Sequence, residues 1–251
     1  MTFSLAYSTL EWKTPNLQQN LVRLKEAGWE GWETRQSLDW LGSARRVRQL
    51  CDGIGIKVAA VCGPNVTLNT ADAAHQINKR RIEFASDLEV PIFMTKGPGR
   101  LDRPTTDADL DGMADVYEDL ATYAQPLGVT VTFHPHINHV VDSADEWKRF
   151  MTRLDCCQLC LDMSHAVHWG YDPIQAVYDY RDRISYIHLH DYKDDESVQL
   201  GEGMMCDYPA FLSALSDIGY TGWITVCPGH TNVPENEKIR VNRAYLKSIG
   251  Y

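Results

Sequence analysis

The chain has 251 residues, of which 44% are hydrophobic; this length is sufficient for one large core, so a single domain over residues 1–251 is expected. Its formal net charge of −10 leaves no basic surface for phosphates, which argues against a nucleic-acid partner. The sequence has no run of about 18 apolar residues that would predict a membrane span, and its first residues lack the pattern of a signal peptide, so a cytoplasmic location is expected.

Strand-like and helix-like segments alternate from the first residues to the last. The predicted strands are short and mostly apolar, as is typical of strands that are buried on both faces of a parallel sheet. In chain order they are Phe3–Tyr7, Gly31–Glu33, Lys57–Cys62, Pro91–Thr95, Val129–His134, Gln158–Asp162, Ile184–His190 and Trp223–Cys227.

Amphipathic stretches lie between these strands and predict helices that pack on the sheet. They are Leu17–Ala27, Ala71–Leu88, Leu110–Leu127, Ala144–Leu154, Ile174–Tyr180 and Pro209–Ile218. Glycines at positions 28, 55, 128 and 219 follow helical stretches and precede strands, as is usual at the C-terminus of a helix. Repeated βα units in this number predict an α/β fold, a single closed (β/α)8 barrel.

Polar groups follow the C-terminal end of most of the predicted strands. In a parallel barrel these ends meet on one face, which is where active sites lie. The groups are Glu33, Cys62, Asn65, Lys96, His134, His136, Asp162, His165, His188, His190, Asp191, Cys227 and His230. Because imidazole and carboxylate are the usual protein ligands of divalent transition metals, this face is predicted to be a metal site.

We expect His134, Asp162 and His188 to be the metal ligands, because they come from three successive strands. His134 and His136 are two residues apart and face the same side of a strand, and so do His188 and His190. Asp162 supplies an anionic ligand between the two pairs. Any one of these histidines alone could have a structural role, but their coincidence on successive strands favours a metal site.

Three other residues near this face have roles that the sequence leaves open. Glu33 could be a general base, accept a substrate hydroxyl, or form a salt bridge with Arg35 or Lys96. Trp32 could stack on a sugar, although tryptophans at such positions are more often part of the core or rim. Asp191 could orient the imidazole of the seventh strand by accepting its hydrogen bond.

Five short motifs carry a resemblance to a known family. They are His134-Pro135-His136, Asp162-Met-Ser-His165, His188-Leu-His190-Asp191, the glycine-containing segment Gly201–Asp207, and Gly219-Tyr-Thr-Gly-Trp223. With these motifs the chain resembles the xylose-isomerase-like TIM-barrel superfamily of sugar isomerases and epimerases, which also includes DNA-repair enzymes of the endonuclease IV type. The triplet after the fifth strand is most similar to that of inosose dehydratases.

The resemblance implies a divalent metal ion, manganese, cobalt or zinc, that holds a keto-sugar or keto-polyol by its carbonyl group. A protein base then removes the neighbouring proton, and return of that proton gives isomerisation or epimerisation, which is our first expectation. Loss of a hydroxyl group instead gives dehydration. The resemblance assigns a substrate contact to His165, with Lys96 and Trp32 as further substrate-binding candidates, and implies that homo-oligomers can form.

The chain departs from the family at two metal-binding positions. The glutamates that follow strands five and eight in the epimerases are replaced by His134 and Cys227. Cys227 could be a fourth metal ligand, and Glu33, His136 and His190 remain as candidates for the catalytic base. Loss of both glutamates leaves open a non-catalytic sugar-binding protein. The acidic charge disfavours a DNA-repair nuclease.

Overall fold

The computed structural model describes residues 3–10, 12, 16–194, 196–229 and 231–251. Eight parallel strands close into one barrel in the order β1-β10-β7-β6-β5-β4-β3-β2, which confirms the predicted (β/α)8 fold. The barrel strands are β1 (Ser4–Ser8), β2 (Gly31–Thr34), β3 (Lys57–Cys62), β4 (Ile92–Lys96), β5 (Thr130–His134), β6 (Gln158–Asp162), β7 (Ile184–Leu189) and β10 (Trp223–Val226). A small antiparallel hairpin, β8 (Asp191–Lys193) and β9 (Glu196–Val198), follows β7.

Helices lie between the strands and cover the outside of the barrel. They are α1 (Leu17–Ala27), α2 (Leu38–Leu41), α3 (Ala44–Ile54), α4 (Ala73–Asp87), α5 (Asp107–Ala124), α6 (Ala144–Met151), α7 (Met163–His168), α8 (Pro173–Asp179), α9 (Tyr208–Asp217) and α10 (Glu235–Ser248). A short 3-10 helix, Gln125–Leu127, extends α5. No helix in the described part of the chain is both long and apolar enough to cross a membrane.

The strand predictions agree with the structure to within one or two residues, whereas several helices were not predicted. The sequence pattern did not predict α2, α3, α7 or α10. The reason is visible in α3, where only Val47 and Cys51 are buried and a wide apolar stripe is therefore absent. The β8–β9 hairpin was also missed, because its strands have only three residues each and are partly exposed.

Two separate apolar clusters stabilise the barrel. The larger one lies mainly between the strands and the surrounding helices, while the smaller one fills the barrel interior with Ala6, Ala59, Ala60, Cys62, Ile92, Met94, Cys160 and Tyr186. Small side chains on β1 and β3 face larger ones on β4 and β7, as close packing of the interior requires. The Tyr186 hydroxyl, buried in this interior, accepts a hydrogen bond of 2.6 Å from Thr225 Oγ1. The apolar filling closes the barrel below the polar strand ends.

One buried arginine on the outer helical layer fixes the loops beside these strand ends. Arg81 of α4 donates hydrogen bonds to the carbonyl oxygens of Cys62, at 2.6 Å, and Gln36, at 2.9 Å. Its two terminal nitrogens therefore bind the ends of two neighbouring strands, β2 and β3. This contact holds the segment after Glu33 in place from outside the barrel.

Candidate active site

Asp162 combines two structural roles, as the last residue of β6 and as the N-cap of α7. Its Oδ1 atom accepts hydrogen bonds from the backbone N–H of Ser164, at 2.9 Å, and from the Ser164 hydroxyl, at 2.6 Å. Capping of this kind satisfies an N–H group that would otherwise have no partner at the helix start. Because Oδ1 is occupied in this way, Oδ2 is the atom that faces the interior of the barrel mouth, which is the open end formed by the C-terminal ends of the strands.

Four imidazole groups surround the Oδ2 atom of Asp162. The distances from Oδ2 are 3.1 Å to Nε2 of His190, 3.2 Å to Nε2 of His134, 3.5 Å to Nε2 of His165 and 3.8 Å to Nδ1 of His188. Burial alone would raise the pKa of Asp162, but the imidazoles of His165 and His190 lower it well below its usual value. The carboxylate is therefore ionised, and the predicted ligands His134 and His188 each have a ring nitrogen within 3.8 Å of its Oδ2 atom.

The other ring nitrogen of His188 contacts Glu33 across the barrel. His188 Nε2 lies 2.6 Å from Glu33 Oε2, while Oε1 accepts hydrogen bonds from Ser8 Oγ at 2.7 Å and Arg35 Nε at 2.9 Å. Burial opposes ionisation of Glu33, but His188 and Arg35 lower its pKa well below the usual value. An ionised Glu33 orients the ring so that Nδ1 faces Asp162, as carboxylates do behind metal-binding histidines.

Asp191 has a different partner from the one the sequence suggested. Its carboxylate accepts hydrogen bonds from five backbone N–H groups, those of Tyr192, Gly201, Gly203, Met204 and Met205. The proposed hydrogen bond from His188 is therefore wrong, because the orienting carboxylate is Glu33. Asp191 instead fixes the loop 199–205.

This loop closes one side of a cavity of about 180 Å³ beside His165. The residues that line the cavity are Ile137, Ser164, His165, His168, Tyr192 and Met205. The loop packs closely, since a Cβ atom on Gly203 would lie 2.1 Å from the carbonyl oxygen of Tyr192. The cavity therefore has His165 and Ser164 on one wall and apolar side chains of the loops on the other.

His136 lies next to this cavity in a defined tautomer. Its Nδ1 lies 2.8 Å from the carbonyl oxygen of Ile137, which can only accept, so Nδ1 carries the proton and Nε2 carries the lone pair. Burial and the neighbouring His165 and Lys96 lower the pKa of His136 to about 2, which keeps the ring neutral. Burial likewise lowers the pKa of His165 to about 4.

At His190 and Cys227, unlike at His136 and His165, the neighbouring groups favour the charged form of the side chain. Burial would lower the pKa of His190, but Asp162 and Cys227 raise it well above the usual value. Burial would raise the pKa of Cys227, but His190 and Arg35 lower it to about 7, and Arg35 Nη2 lies 3.7 Å from the sulfur. An imidazolium and a thiolate-forming cysteine thus lie together at the ends of β7 and β10.

The donor set fits a divalent transition metal. Nε2 of His165 and Nδ1 of His188 are buried and have no hydrogen-bond partner among the described residues, although both face Asp162. Ligands bound to a cation at about 2.0–2.2 Å lie roughly 3.0–3.5 Å from one another, close to the distances around Oδ2. Donor atoms within 4.8 Å of one another form the groups His134–Cys160–His188, His188–His190–Cys227 and His134–Asp162–His165.

Not every predicted site residue reaches this mouth. Trp32 neighbours Glu33 on β2 and so faces the opposite side, where it is fully buried; its Nε1–H donates to Cys51 Sγ at 3.4 Å and its ring stacks on Trp12. The predicted sugar contact of Trp32 is therefore wrong. Lys96 does lie at the strand ends, whereas His230 lies outside the described residues.

Sequence reasoning missed Ser8 and Ser164, and it named Arg35 only as an alternative partner for Glu33. The signal for Ser164 was available, since a serine two residues after an aspartate is typical of a strand that turns into a helix. Ser8 gave no local signal, because its partner, the carboxylate of Glu33, is supplied by another strand.

The chain belongs to the xylose isomerase-like TIM barrel family, whose model matches residues 21–249. Among curated proteins it is similar to inosose dehydratase from Geobacillus kaustophilus (strain HTA426), with 30% identity over 142 residues, which are 48% of this chain and 46% of that protein. Inosose dehydratase from Lacticaseibacillus casei is 32% identical over 141 residues, 48% of this chain and 47% of that protein. The match spans about half the length of these relatives.

Solved structures show the same fold along the whole chain. The apo form of 3-keto-D-glucoside 4-epimerase, YcjR, from E. coli superposes with a TM-score of 0.83 and 18% sequence identity. The superposition covers 98% of this chain and 100% of that chain. At this identity the likeness establishes the barrel fold.

Proposed function

We propose that this chain is a metal-dependent enzyme that removes a proton next to the carbonyl group of a keto-sugar or keto-polyol. The observation that carries the proposal is the Asp162 carboxylate oxygen with four imidazole nitrogens 3.1–3.8 Å away, at the C-terminal ends of barrel strands. Membership of the family and the names of the matched relatives support the same chemistry.

In this proposal His134, Asp162 and His188 hold the metal ion, with Cys227 as a fourth ligand. When bound, a divalent ion polarises a carbonyl group and makes the adjacent C–H bond more acidic. Manganese, cobalt and zinc all accept imidazole and carboxylate ligands, and a thiolate from Cys227 favours zinc or cobalt over manganese. The buried Nδ1 atom of His188, which faces Asp162 and has no hydrogen-bond partner among the described residues, supports this assignment.

Proton transfer is assigned to two further histidines. His136 presents the unprotonated Nε2 of a neutral ring and is assigned as the base, while His190 carries a proton and can supply it to an oxygen of the substrate. Glu33 was also a candidate base, but both of its oxygen atoms are already hydrogen bonded, so we assign it to orienting His188. His165 and Lys96 are assigned to substrate binding.

The same deprotonated intermediate can lead to isomerisation, epimerisation or dehydration. Return of the proton to carbon gives an isomer or epimer, and loss of a neighbouring hydroxyl group gives an unsaturated product. One observation favours dehydration: the matched curated relatives are named inosose dehydratase. A protonated His190 also suits this outcome, since a departing hydroxide needs a proton donor.

Proton exchange tests the proposal and separates its outcomes. Chelator-treated protein is reloaded with manganese, cobalt or zinc and incubated in D2O with D-fructose, inosose, 2-keto-D-gluconate or D-fructuronate, and products are followed by NMR and mass spectrometry. Deuterium on the carbon next to the carbonyl of recovered sugar indicates an isomerase or epimerase, and an unsaturated product indicates a dehydratase. The Asp162→Asn variant serves as the control. A protein that gives neither result with any of the metals is a binding protein, which contradicts the proposal.

A further inference from the structure

Lys96 lies on the interior face of the barrel at its open end. Strand residues two apart face the same side, and Ile92 and Met94 of β4 both belong to the apolar cluster inside the barrel. Lys96 follows Met94 by two residues and pairs in register with His134 of β5. The alternation therefore places its half-buried side chain directly above the apolar layer, in the mouth that contains the candidate ligands.

The ammonium group of Lys96 has no anionic partner in the described part of the chain. No carboxylate there forms an ion pair or hydrogen bond with it, although ion pairs occur throughout the molecule. Burial and the positive charge of Arg35 lower the pKa of Lys96, whereas the thiols of Cys62 and Cys227 oppose this shift. No carboxylate of the described residues contributes to it.

The two carboxylates of the mouth are already engaged with other groups. Glu33 forms an ion pair with Arg35 at 2.9 Å and a hydrogen bond with His188 at 2.6 Å. Asp162 has His134 and His190 within 3.2 Å. Among the described residues of the mouth, Lys96 is thus a cation left over after the acidic groups have been paired.

A partly desolvated cation without a counter-ion is unfavourable, and an anionic ligand that reaches it gains a charge-assisted hydrogen bond. We infer that Lys96 binds a carboxylate group of the substrate, which makes the substrate class a keto-sugar acid rather than a neutral ketose. This inference rests on the proposed function for the identity of the reacting carbonyl group. A carboxylate suits a single ammonium group, whereas phosphate is usually held by several N–H donors together.

Matched ligands test the inference by equilibrium binding, without turnover. D-Fructose is compared by calorimetry with 2-keto-D-gluconate, which carries a carboxylate in place of the first hydroxymethyl group, and with D-fructuronate, which carries it in place of the last. We expect at least one of the two acids to bind at least about tenfold more tightly than D-fructose, as a charge-assisted hydrogen bond provides. D-Fructose 6-phosphate is included as a second type of anion.

The variants are Lys96→Met, Lys96→Arg and, as a control, Lys57→Met, which removes an exposed lysine at the start of β3. Lys96→Met should reduce the preference for the acid to within about twofold, whereas Lys96→Arg and Lys57→Met should retain it. A preference that survives in Lys96→Met, equal binding of D-fructose and both acids, or tightest binding of the phosphate would overturn the inference.

The binding assay tests the carboxylate contact and the exchange assay tests the proposed reaction, so either proposal can be contradicted without the other. If the protein shows no proton exchange but loses its preference for the acid in Lys96→Met, the proposed reaction is wrong and the carboxylate contact stands. If exchange occurs on D-fructose and Lys96→Met lowers its rate without changing any binding constant, Lys96 acts on the reacting centre and the carboxylate contact is wrong.

Discussion

Nε2 of His188 and Oε2 of Glu33 meet across the barrel at 2.6 Å, although 155 positions separate the two residues in the chain. Because the ionised Glu33 can only accept a hydrogen bond, Nε2 of His188 carries a proton, and Nδ1 is the ring nitrogen that faces Asp162. The electronic state of a candidate metal ligand is thus set by a strand on the opposite side of the barrel.

Weakening this contact should weaken metal binding. Glu33→Gln keeps the size of the side chain but removes the charge that favours the Nε2–H tautomer, so we expect zinc affinity to fall roughly 10–100-fold. Calorimetric titration with zinc measures the change, and Glu26→Gln, an exposed glutamate of α1, is the control. Unchanged zinc affinity in Glu33→Gln would show that His188 is not a ligand.

A cobalt-loaded protein should reveal whether Cys227 binds the metal. Thiolate coordination gives cobalt a sulfur-to-metal charge-transfer band in the near ultraviolet, and the neighbouring His190 and Arg35 already lower the pKa of this buried thiol to about 7. We expect the band in the parent protein and its loss in Cys227→Ser. Cys156→Ser removes an exposed cysteine and should leave the spectrum unchanged. A spectrum that is the same in all three proteins would exclude Cys227 as a ligand.

Removing the candidate base should separate catalysis from metal binding. We expect His136→Gln to lower proton exchange by at least about 100-fold, the usual contribution of a general base, while zinc affinity stays within about twofold. Exchange rates in D2O and zinc titrations measure the two effects. His139→Gln changes a neighbouring histidine and should retain exchange. An equal loss of proton exchange in both variants would mean that His136 and His139 act only by shaping the cavity.

Loosening the Asp191 hydrogen bonds should open the cavity loop. Asp191→Asn turns one acceptor oxygen into an NH2 group that faces backbone N–H donors, so we expect faster hydrogen exchange in residues 199–205 and a lower stability, by about 1–3 kcal/mol. Exchange mass spectrometry and denaturant unfolding measure both quantities. Asp52→Asn, at an exposed site, is the control. Unchanged exchange in the loop would mean that packing around Gly203 suffices to hold it.

The start of α5 should contribute a pH-dependent share of the stability. Hydrogen bonds from Arg103 and Thr106 lower the pKa of Asp109, so this carboxylate stabilises the folded state above its unfolded pKa and the contribution is lost on acidification. Between about pH 5 and pH 2, the stability difference between the parent protein and Asp109→Asn should therefore shrink. Thermal melts measure it, with Asp115→Asn on the same helix as the control. A constant difference would refute the assignment.

Local patterns predicted the barrel and the convergence of His134, Asp162 and His188. Period-two alternation fixed which face each side chain takes, and neighbouring strands β5, β6 and β7 then brought the three groups together. The same alternation, applied to Trp32 beside Glu33, would have placed the indole outside the barrel.

Contacts between distant segments could not be predicted in this way. The partner of Glu33 depends on how the barrel closes, since β2 and β7 are not neighbours in the sheet. Asp191 binds backbone N–H groups that lie up to 14 residues further along, and their direction depends on the turns of that loop. Helix α10 was missed because its pattern is largely polar, with few buried positions.

The hydrogen bonds that Asp162 accepts from Ser164 lie within a single turn of the chain. Tyr192 and Met205, in contrast, line the cavity from a separate segment, whose backbone N–H groups donate to Asp191. The candidate metal site and this wall of the cavity are therefore held by different segments of the chain. A loop of another length or composition at residues 199–205 can therefore change which molecules fit the cavity while the turn at Asp162 stays as it is.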